Sequence, residues 1–160
     1  MDVVGPVAPA DVDELRRRLT ADVALAQRVH LLGRRPPTRA WEHASGAWCG
    51  LLLLADTPAF AEAMPSKLGE YLACGLPVIT TDLRRQAAVV RDSGAGVVVP
   101  AGGDESVGEA VAQVLRDWSG SADGRERLDT CAQAAVKHAA AARRERSVYE
   151  DFAHAVAALL

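Results

Sequence analysis

A lysine and a glutamate stand one helical turn apart in the segment Pro65-Ser66-Lys67-Leu68-Gly69-Glu70. Pro65 suits the first position of a helix, because its missing N–H would have no partner there in any case. The free N–H groups of a first turn and the helix dipole favour an anion, and Lys67 adds a positive charge. Glu70 projects from the same side of such a helix as Lys67. A phosphate joined to a polyol would satisfy this arrangement, with the phosphate on the amides and Lys67 and the hydroxyls on Glu70.

The same residues also suit a helix that binds nothing. Pro-Ser is a common start and glycine a common end of an apolar helix, and Ser66 can simply cap the helix. Lys67 and Glu70 can equally be a solvated pair of charges. Composition alone favours this second interpretation, and the residues by themselves leave both open.

The length and composition of the chain are those of one soluble domain. The chain has 160 residues, of which 49% are apolar, 24% charged and only 4% aromatic. Its net charge of −3 and the lack of a basic stripe with interleaved aromatics argue against a nucleic-acid partner. Leu51–Leu54 is too short an apolar run to cross a bilayer, and we expect no signal peptide, because the first residues carry neither a basic region nor a long apolar run.

Three cysteines indicate a reducing compartment. Cys49, Cys74 and Cys131 are odd in number and far apart, with neither metal-ligand spacing nor a disulfide framework. We therefore expect a cytoplasmic protein without a metal site. Cys49 and Cys74 lie in apolar runs and are expected to be small buried hydrophobic residues.

Strands and helices alternate along the first hundred residues. Each predicted strand is short and apolar throughout, which is typical of a parallel sheet covered on both faces. The first predicted strand ends at Val4, and the other four cover 29–33, 50–54, 77–80 and 96–100. The predicted helices run from an Asp11 cap to about Ala24, from a Thr38 cap to about Ser45, from Pro65 to Cys74 and from Leu83 to Ser93.

The remainder of the chain is predicted to be helical. Val107, Val111 and Trp118 repeat at helical spacing, and a polar link at 119–124 precedes an Ala-rich helix. A closing helix carries one apolar stripe, comprising Val148, Phe152, Ala155, Val156 and Leu159. The order of elements predicts a doubly wound, Rossmann-like parallel sheet with C-terminal helices.

The segment from Pro65 to Ile79 resembles the donor-binding motif of the retaining GT-B glycosyltransferases of the group 1 class. That family reads P-S-K-L-x-E-Y-L-A-x-G-x-P-V-I, and this chain matches nearly every fixed position. Further stretches are similar to the strands of the family's C-terminal domain: the turn at Gly5-Pro6, the strand at 28–33, the segment 47–52 and the strand at 94–100. The resemblance thus covers most of the chain.

The resemblance also implies that a central strand is lacking. The family's C-terminal domain begins one strand earlier than Val3, with a loop whose basic residues hold the donor pyrophosphate. In the order 3-2-1-4-5-6 the first strand is central, so we expect its two neighbours to carry unpaired backbone groups. The expected organisation is therefore a donor-binding domain over 1–142, truncated at its start, and a closing helix over 143–160.

The resemblance assigns roles to individual residues. Glu70 matches the glutamate that binds the ribose hydroxyls, and the residues at the diphosphate are Pro65, Ser66, Lys67 and Leu68. Lys67 and Glu62 are the catalytic candidates. Glu62 precedes Glu70 by eight positions, the spacing of the family's two glutamates, although Ala63 and Met64 stand where glycine and an aromatic residue are usual, and chance placement accounts for Glu62 equally well.

The function that the resemblance implies is transfer of a sugar, with retention, from a nucleoside-diphosphate sugar. No metal or other cofactor is expected, and this chain would supply only the donor-binding half. The acceptor would lie on another polypeptide or domain, with membrane contact only if the acceptor is a lipid. Two alternatives stay open: a non-catalytic remnant, and another Rossmann-like nucleotide-binding domain.

Overall fold

The structure is a computed structural model that describes the backbone of residues 1–157 and the side chains of residues 1–143. The chain divides into two compact units, one running from Met1 to Gly46 and one that begins at Ala47. All strand pairs in the described residues are parallel, as expected for strands joined by helical connections.

The first unit contains a two-stranded parallel sheet. In chain order its elements are β1 (Asp2–Val4), α1 (Pro9–Ala21), α2 (Val23–Ala26), β2 (His30–Gly33) and α3 (Pro37–Ala44). β1 pairs with β2, and Asp2 lies opposite His30. Both strands and α3 therefore fall close to their predicted positions.

Two predicted caps in the first unit are wrong. Asp11 lies inside the first turn of α1, because Pro9 occupies the start of that helix. Thr38 is likewise preceded by Pro37, the first residue of α3. In both places proline's fixed φ suits the first helical turn, so the helix begins before the polar residue. The first helix also ends early at Asp22, whose carboxylate accepts a hydrogen bond from the Leu25 N–H (2.9 Å) and caps α2.

The second unit contains a three-stranded parallel sheet and its covering helices. In chain order its elements are β3 (Gly50–Leu52), α4 (Ser66–Ala73), β4 (Val78–Thr81), α5 (Arg84–Ser93), β5 (Gly96–Val99), α6 (Asp104–Gly120) and α7 (Ala122–Ala157). The strand order is β3-β4-β5, with Gly50 opposite Val78 and Val78 opposite Gly96. Every residue of β4 is buried, as a central strand requires.

Helices cover both faces of this sheet. Alternate residues of β4 point to opposite faces, so Val78 and Ile79 enter different apolar clusters. The Val78 cluster takes in side chains from α4, α5 and α7, namely Leu68, Leu72, Val90 and Ala135. The Ile79 cluster takes in Val99 of β5 and two side chains of α6, Val111 and Trp118. The predicted α/β class, with parallel strands and C-terminal helices, is confirmed.

β3 is an edge strand of the three-stranded sheet. Its Gly50 N–H donates to the Pro77 carbonyl (2.8 Å), so the backbone groups of the next residue, Leu51, point away from β4.

The C-terminal helices differ from the prediction. The polar link is reduced to Ser121, between α6 and α7, and the predicted Ala-rich and closing helices form one continuous helix. Position 143 thus lies within α7. The side chains of the predicted stripe at 148–159 lie outside the described residues. None of the helices described combines the length and the hydropathy of a membrane span.

Candidate functional site

The predicted motif forms the start of helix α4. Pro65 has an extended conformation (φ −65°, ψ 133°) and is the N-cap, so the helix begins at Ser66, one residue later than the sequence predicts. Gly75, with φ +72°, follows the Cys74 C-cap in the left-handed conformation that ends the helix. The apolar side of the helix, Leu68 and Leu72, is buried in the core. Packing of that side fixes how the first turn is presented.

Two amide groups remain available at the start of α4. The Leu68 N–H donates to the Pro65 carbonyl (3.1 Å), and no side chain caps the helix. The N–H groups of Ser66 and Lys67 have no hydrogen-bond partner among the described residues, as expected for the first positions of a helix. The first turn therefore presents two free donors where the dipole favours negative charge.

The charged side chains of the motif are accessible to a ligand. Lys67 is exposed and Glu70 is half-buried rather than enclosed in the core. The two side chains form no ion pair with each other, nor with another side chain of residues 1–143. Burial raises the pKa of the neighbouring Tyr71, and the negative charge of the Glu70 carboxylate raises it further. Leu68 contributes only its backbone, because its side chain is 2% exposed.

Glu62 lies on the connection between β3 and α4 and is already paired. Its Oε1 accepts a hydrogen bond from Arg84 Nη1 (3.2 Å), and its backbone carbonyl accepts one from Arg85 Nη1 (3.2 Å). The side chains of Glu62 and Arg84 are 63% and 81% exposed. Such an exposed pair is weak and sensitive to salt. Glu62 is thus joined to the start of α5, with its carboxylate still accessible.

The β3–α4 loop, residues 53–65, is also anchored to β4 near its beginning. The Thr81 hydroxyl donates to the Leu54 carbonyl (2.8 Å), and the Thr80 hydroxyl donates to the Leu52 carbonyl (3.1 Å). Gln86 Nε2 in turn donates to the Thr81 hydroxyl oxygen (3.1 Å) and to the Thr81 carbonyl (3.0 Å). These threonines and the glutamine are buried. Sequence reasoning missed them, although two threonines at the end of an apolar strand were a visible signal.

A shallow groove of about 270 Å³ lies on the other side of α4 from Lys67 and Glu70. It is bounded by Leu68, Gly69 and Leu72 of α4, by Val89 of α5 and His138 of α7, and by Met64, Pro65 and Ser66 where α4 begins. The groove is mainly apolar. It therefore reaches the start of the motif at Pro65 and Ser66, but neither Lys67 nor Glu70 lines it.

A second group of titratable side chains lies in the first unit. Asp2 Oδ1 is 2.8 Å from His30 Nδ1, and Asp2 Oδ2 is 3.6 Å from His43 Nδ1. The hydrogen bond with His30 is the main cause that lowers the pKa of Asp2. All three side chains are substantially exposed, and no set of His, Cys, Asp or Glu that could hold a metal ion occurs among the described residues. His30 thus forms an exposed pair with Asp2.

Comparison with known sequences identifies the family. The sequence model described as Glycosyl transferases group 1 matches residues 1–117, which include both sheets and the whole α4 motif. A search of curated proteins finds no match.

Comparison with solved structures agrees with this result. The chain is similar to the crystal structure of WaaG, a glycosyltransferase involved in lipopolysaccharide biosynthesis, with a TM-score of 0.59 and 25% sequence identity. The similarity covers 86% of this chain but 33% of that one, so the chain spans about a third of the length of the structure it matches. The parallel sheets and C-terminal helices resemble the GT-B glycosyltransferase fold. Because the family model covers most of its length, the chain belongs to the group 1 glycosyl transferases.

Proposed function

We propose that this chain is the donor-binding part of a glycosyltransferase that transfers a sugar, with retention, from a nucleoside-diphosphate sugar. The observation that carries this proposal is the start of α4, where two free amides, an exposed lysine and an accessible glutamate lie within five residues. Family membership supports glycosyl transfer as the reaction class. The acceptor is expected to bind a separate domain or polypeptide, so this chain alone is expected to lack transferase activity.

The roles of the residues follow from their chemistry. The amides of Ser66 and Lys67 and the Lys67 ammonium would bind the diphosphate and stabilise the negative charge that grows on it as the sugar leaves. The Glu70 carboxylate, one turn further along the helix, would accept hydrogen bonds from the ribose hydroxyls. Pro65 keeps the first turn without a competing side-chain cap.

Glu62 has a less direct position. Its carboxylate is held by Arg84, which leaves one of its oxygens to accept a hydrogen bond from a donor sugar hydroxyl. The charge of Arg84 also offsets that of Glu62, which reduces its repulsion of the diphosphate. We therefore assign Glu62 to sugar binding and Lys67 to leaving-group stabilisation.

Calorimetric titration with uridine, guanosine and adenosine diphosphates tests the proposal. We expect saturable binding of at least one nucleotide, weakened about tenfold or more in Glu70→Ala, because a hydrogen bond to a charged group contributes about 1.5–3 kcal/mol. Lys67→Ala is expected to weaken binding and to reduce its dependence on salt.

Matched controls are available on other helices. Glu109 of α6 and Lys137 of α7 are exposed residues of the same types, so Glu109→Ala and Lys137→Ala are expected to leave binding unchanged. Absence of heat with all three nucleotides, or equal binding by wild type and Glu70→Ala, would contradict the proposed function.

A further inference from the structure

The start of the β3–α4 loop is attached to β4 by side chains rather than by the strand ladder. β3 ends at Leu52, yet the Thr81 hydroxyl reaches the Leu54 carbonyl two residues further on (2.8 Å). Gln86 Nε2 donates to that hydroxyl's oxygen, which leaves the hydroxyl proton for Leu54. Gln86 is 0% exposed and Thr81 is 2% exposed, so water does not compete for these bonds.

Gln86 is not needed to satisfy its neighbours. The Thr81 carbonyl that accepts from Gln86 also accepts from the Leu83 N–H (2.8 Å), and the Thr81 hydroxyl has its own acceptor in Leu54. Removal of the Gln86 amide would therefore leave none of these groups without a partner. The Gln86 Oε1 atom, by contrast, is buried with no hydrogen-bond partner among the described residues.

A buried amide with an unpaired oxygen lowers the stability of the fold. An apolar side chain of the same size would avoid that cost. Departures of this kind are expected where a residue serves function rather than folding. Among the described residues, the side-chain hydrogen bonds near the other end of the loop are those of the exposed Arg84 and Arg85 with Glu62, so the buried bond to Leu54 is the stronger of the two polar attachments.

We propose that Gln86 and Thr81 are positioning residues, which hold the β3–α4 loop so that the first turn of α4 meets the diphosphate. Gln86 orients the Thr81 hydroxyl, Thr81 holds the Leu54 carbonyl, and the loop then leads through Glu62 to Pro65. The inference rests on the proposed function for its ligand. Its structural part, the placement of the loop, is measurable without any ligand.

The test compares three quantities in Gln86→Met: thermal stability, hydrogen exchange of the loop amides, and nucleotide affinity. Met keeps the length and volume of glutamine without its amide. We expect a melting temperature equal to or above that of the wild type. We also expect several-fold faster exchange at Phe60, Ala61 and Ala63, whose N–H groups are bonded within the loop, shifted resonances of the Ser66 and Lys67 amides, and several-fold weaker binding.

Thr81 supplies a second pair of variants. Thr81→Val removes the hydroxyl and leaves the Leu54 carbonyl without its donor, so it is expected to speed loop exchange and to weaken binding. Thr81→Ser keeps the hydroxyl, so its loop exchange and its nucleotide affinity are expected to stay close to those of the wild type. A purely structural role would make loop exchange and affinity follow stability instead.

The outcomes are distinguishable. A Gln86→Met protein with lower stability but wild-type loop exchange and affinity would overturn the proposal, as would Thr81→Ser failing to restore what Thr81→Val loses. If the wild type binds none of the three nucleotides, the proposed function fails. Loop exchange and the Ser66 and Lys67 resonances then still decide whether Gln86 and Thr81 place the loop.

Discussion

The ring of Tyr71 lies against Gly50, so closely that a β-carbon at Gly50 would overlap the ring atoms Cγ and Cδ2. Tyr71 follows Glu70 directly on α4, and Gly50 is the first residue of β3. The contact therefore joins the helix of the candidate site to the edge strand of the sheet. Glycine is required at this place by the close approach of a side chain.

Gly50→Ala is expected to destabilise the second unit. The added methyl group would displace the Tyr71 ring, and overpacking of this kind costs about 1–3 kcal/mol. Urea unfolding followed by circular dichroism measures the change. Because Tyr71 adjoins Glu70, nucleotide affinity is expected to fall as well.

Gly69→Ala is the matched control. A β-carbon at Gly69 meets nothing within 4 Å, and the residue is in the interior of α4. Alanine in a helix is favoured over glycine by about 0.5–1 kcal/mol, so this variant is expected to be more stable than the wild type. Equal destabilisation by both substitutions would show that the Tyr71 contact is not the cause.

Leu72→Ala is expected to cost about 2–5 kcal/mol, because it leaves a cavity in the core beneath α4. Leu72 is 1% exposed and belongs to the cluster that includes Leu52 and Val78. Leu53→Ala removes the same atoms from a side chain that is 40% exposed and is expected to cost much less. Denaturant unfolding of both variants checks the difference, and similar losses would contradict the proposed packing of α4.

The cysteines are expected to differ in reactivity. Cys74 is exposed at the end of α4, so the prediction that it is buried is wrong: it follows the polar side of the helix that carries Glu70. Burial raises the pKa of the Cys49 thiol to about 11. At pH 8 a disulfide reagent should therefore modify Cys74 before Cys49, since the thiolate is the reactive form.

Peptide mapping after partial labelling identifies which thiol has reacted. Cys74→Ser should remove the fast phase and leave the slow one. Fast labelling that peptide mapping assigns to Cys49 in Cys74→Ser, rather than to Cys131, would contradict the placement of Cys49 against the Ile79 cluster.

The Asp82–Arg91 pair predicts one component of acid sensitivity. Arg91 Nη2 donates to Asp82 Oδ2 (2.7 Å), and this hydrogen bond lowers the pKa of Asp82. A lowered pKa in the folded state means that the stabilisation is present above the ordinary carboxyl pKa and is lost as the pH falls through the lowered value. Both side chains are about half exposed, so we expect a small effect that salt reduces.

Asp82→Asn should therefore be slightly less stable than the wild type at pH 7, and the difference should vanish in acid. Urea midpoints measured from pH 7 down to pH 2 check this expectation. Asp92→Asn is the control for removal of a surface carboxylate, because Asp92 is exposed on α5, the helix that carries Arg91, and forms no ion pair with the described side chains. A difference that grows in acid would contradict the predicted sign.

The sequence was sufficient to locate most elements and the motif. Apolar runs such as Pro77–Thr80 predicted strands because parallel strands are buried on both faces, and β4 is found within one residue of that position. Local rules failed where a neighbouring residue competed. The helices predicted to begin at Asp11 and Thr38 begin instead at Pro9 and Pro37. The two helices predicted near the C-terminus are one helix, α7, because no glycine or proline interrupts it after its first turn.

By itself, the sequence determined which groups meet at the start of α4, because the order of Pro65, Lys67 and Glu70 along a helix fixes which of them share an end and a side. Only the tertiary structure decided that Cys74 is exposed, that Glu62 is held by Arg84, and that Thr81 and Gln86 anchor the β3–α4 loop. The Glu62–Arg84 and Thr81–Leu54 contacts join residues 22 and 27 positions apart, and the exposure of Cys74 depends on which side of α4 meets the core. No local pattern of residue types encodes such contacts, because they arise only when the sheet brings separate segments together.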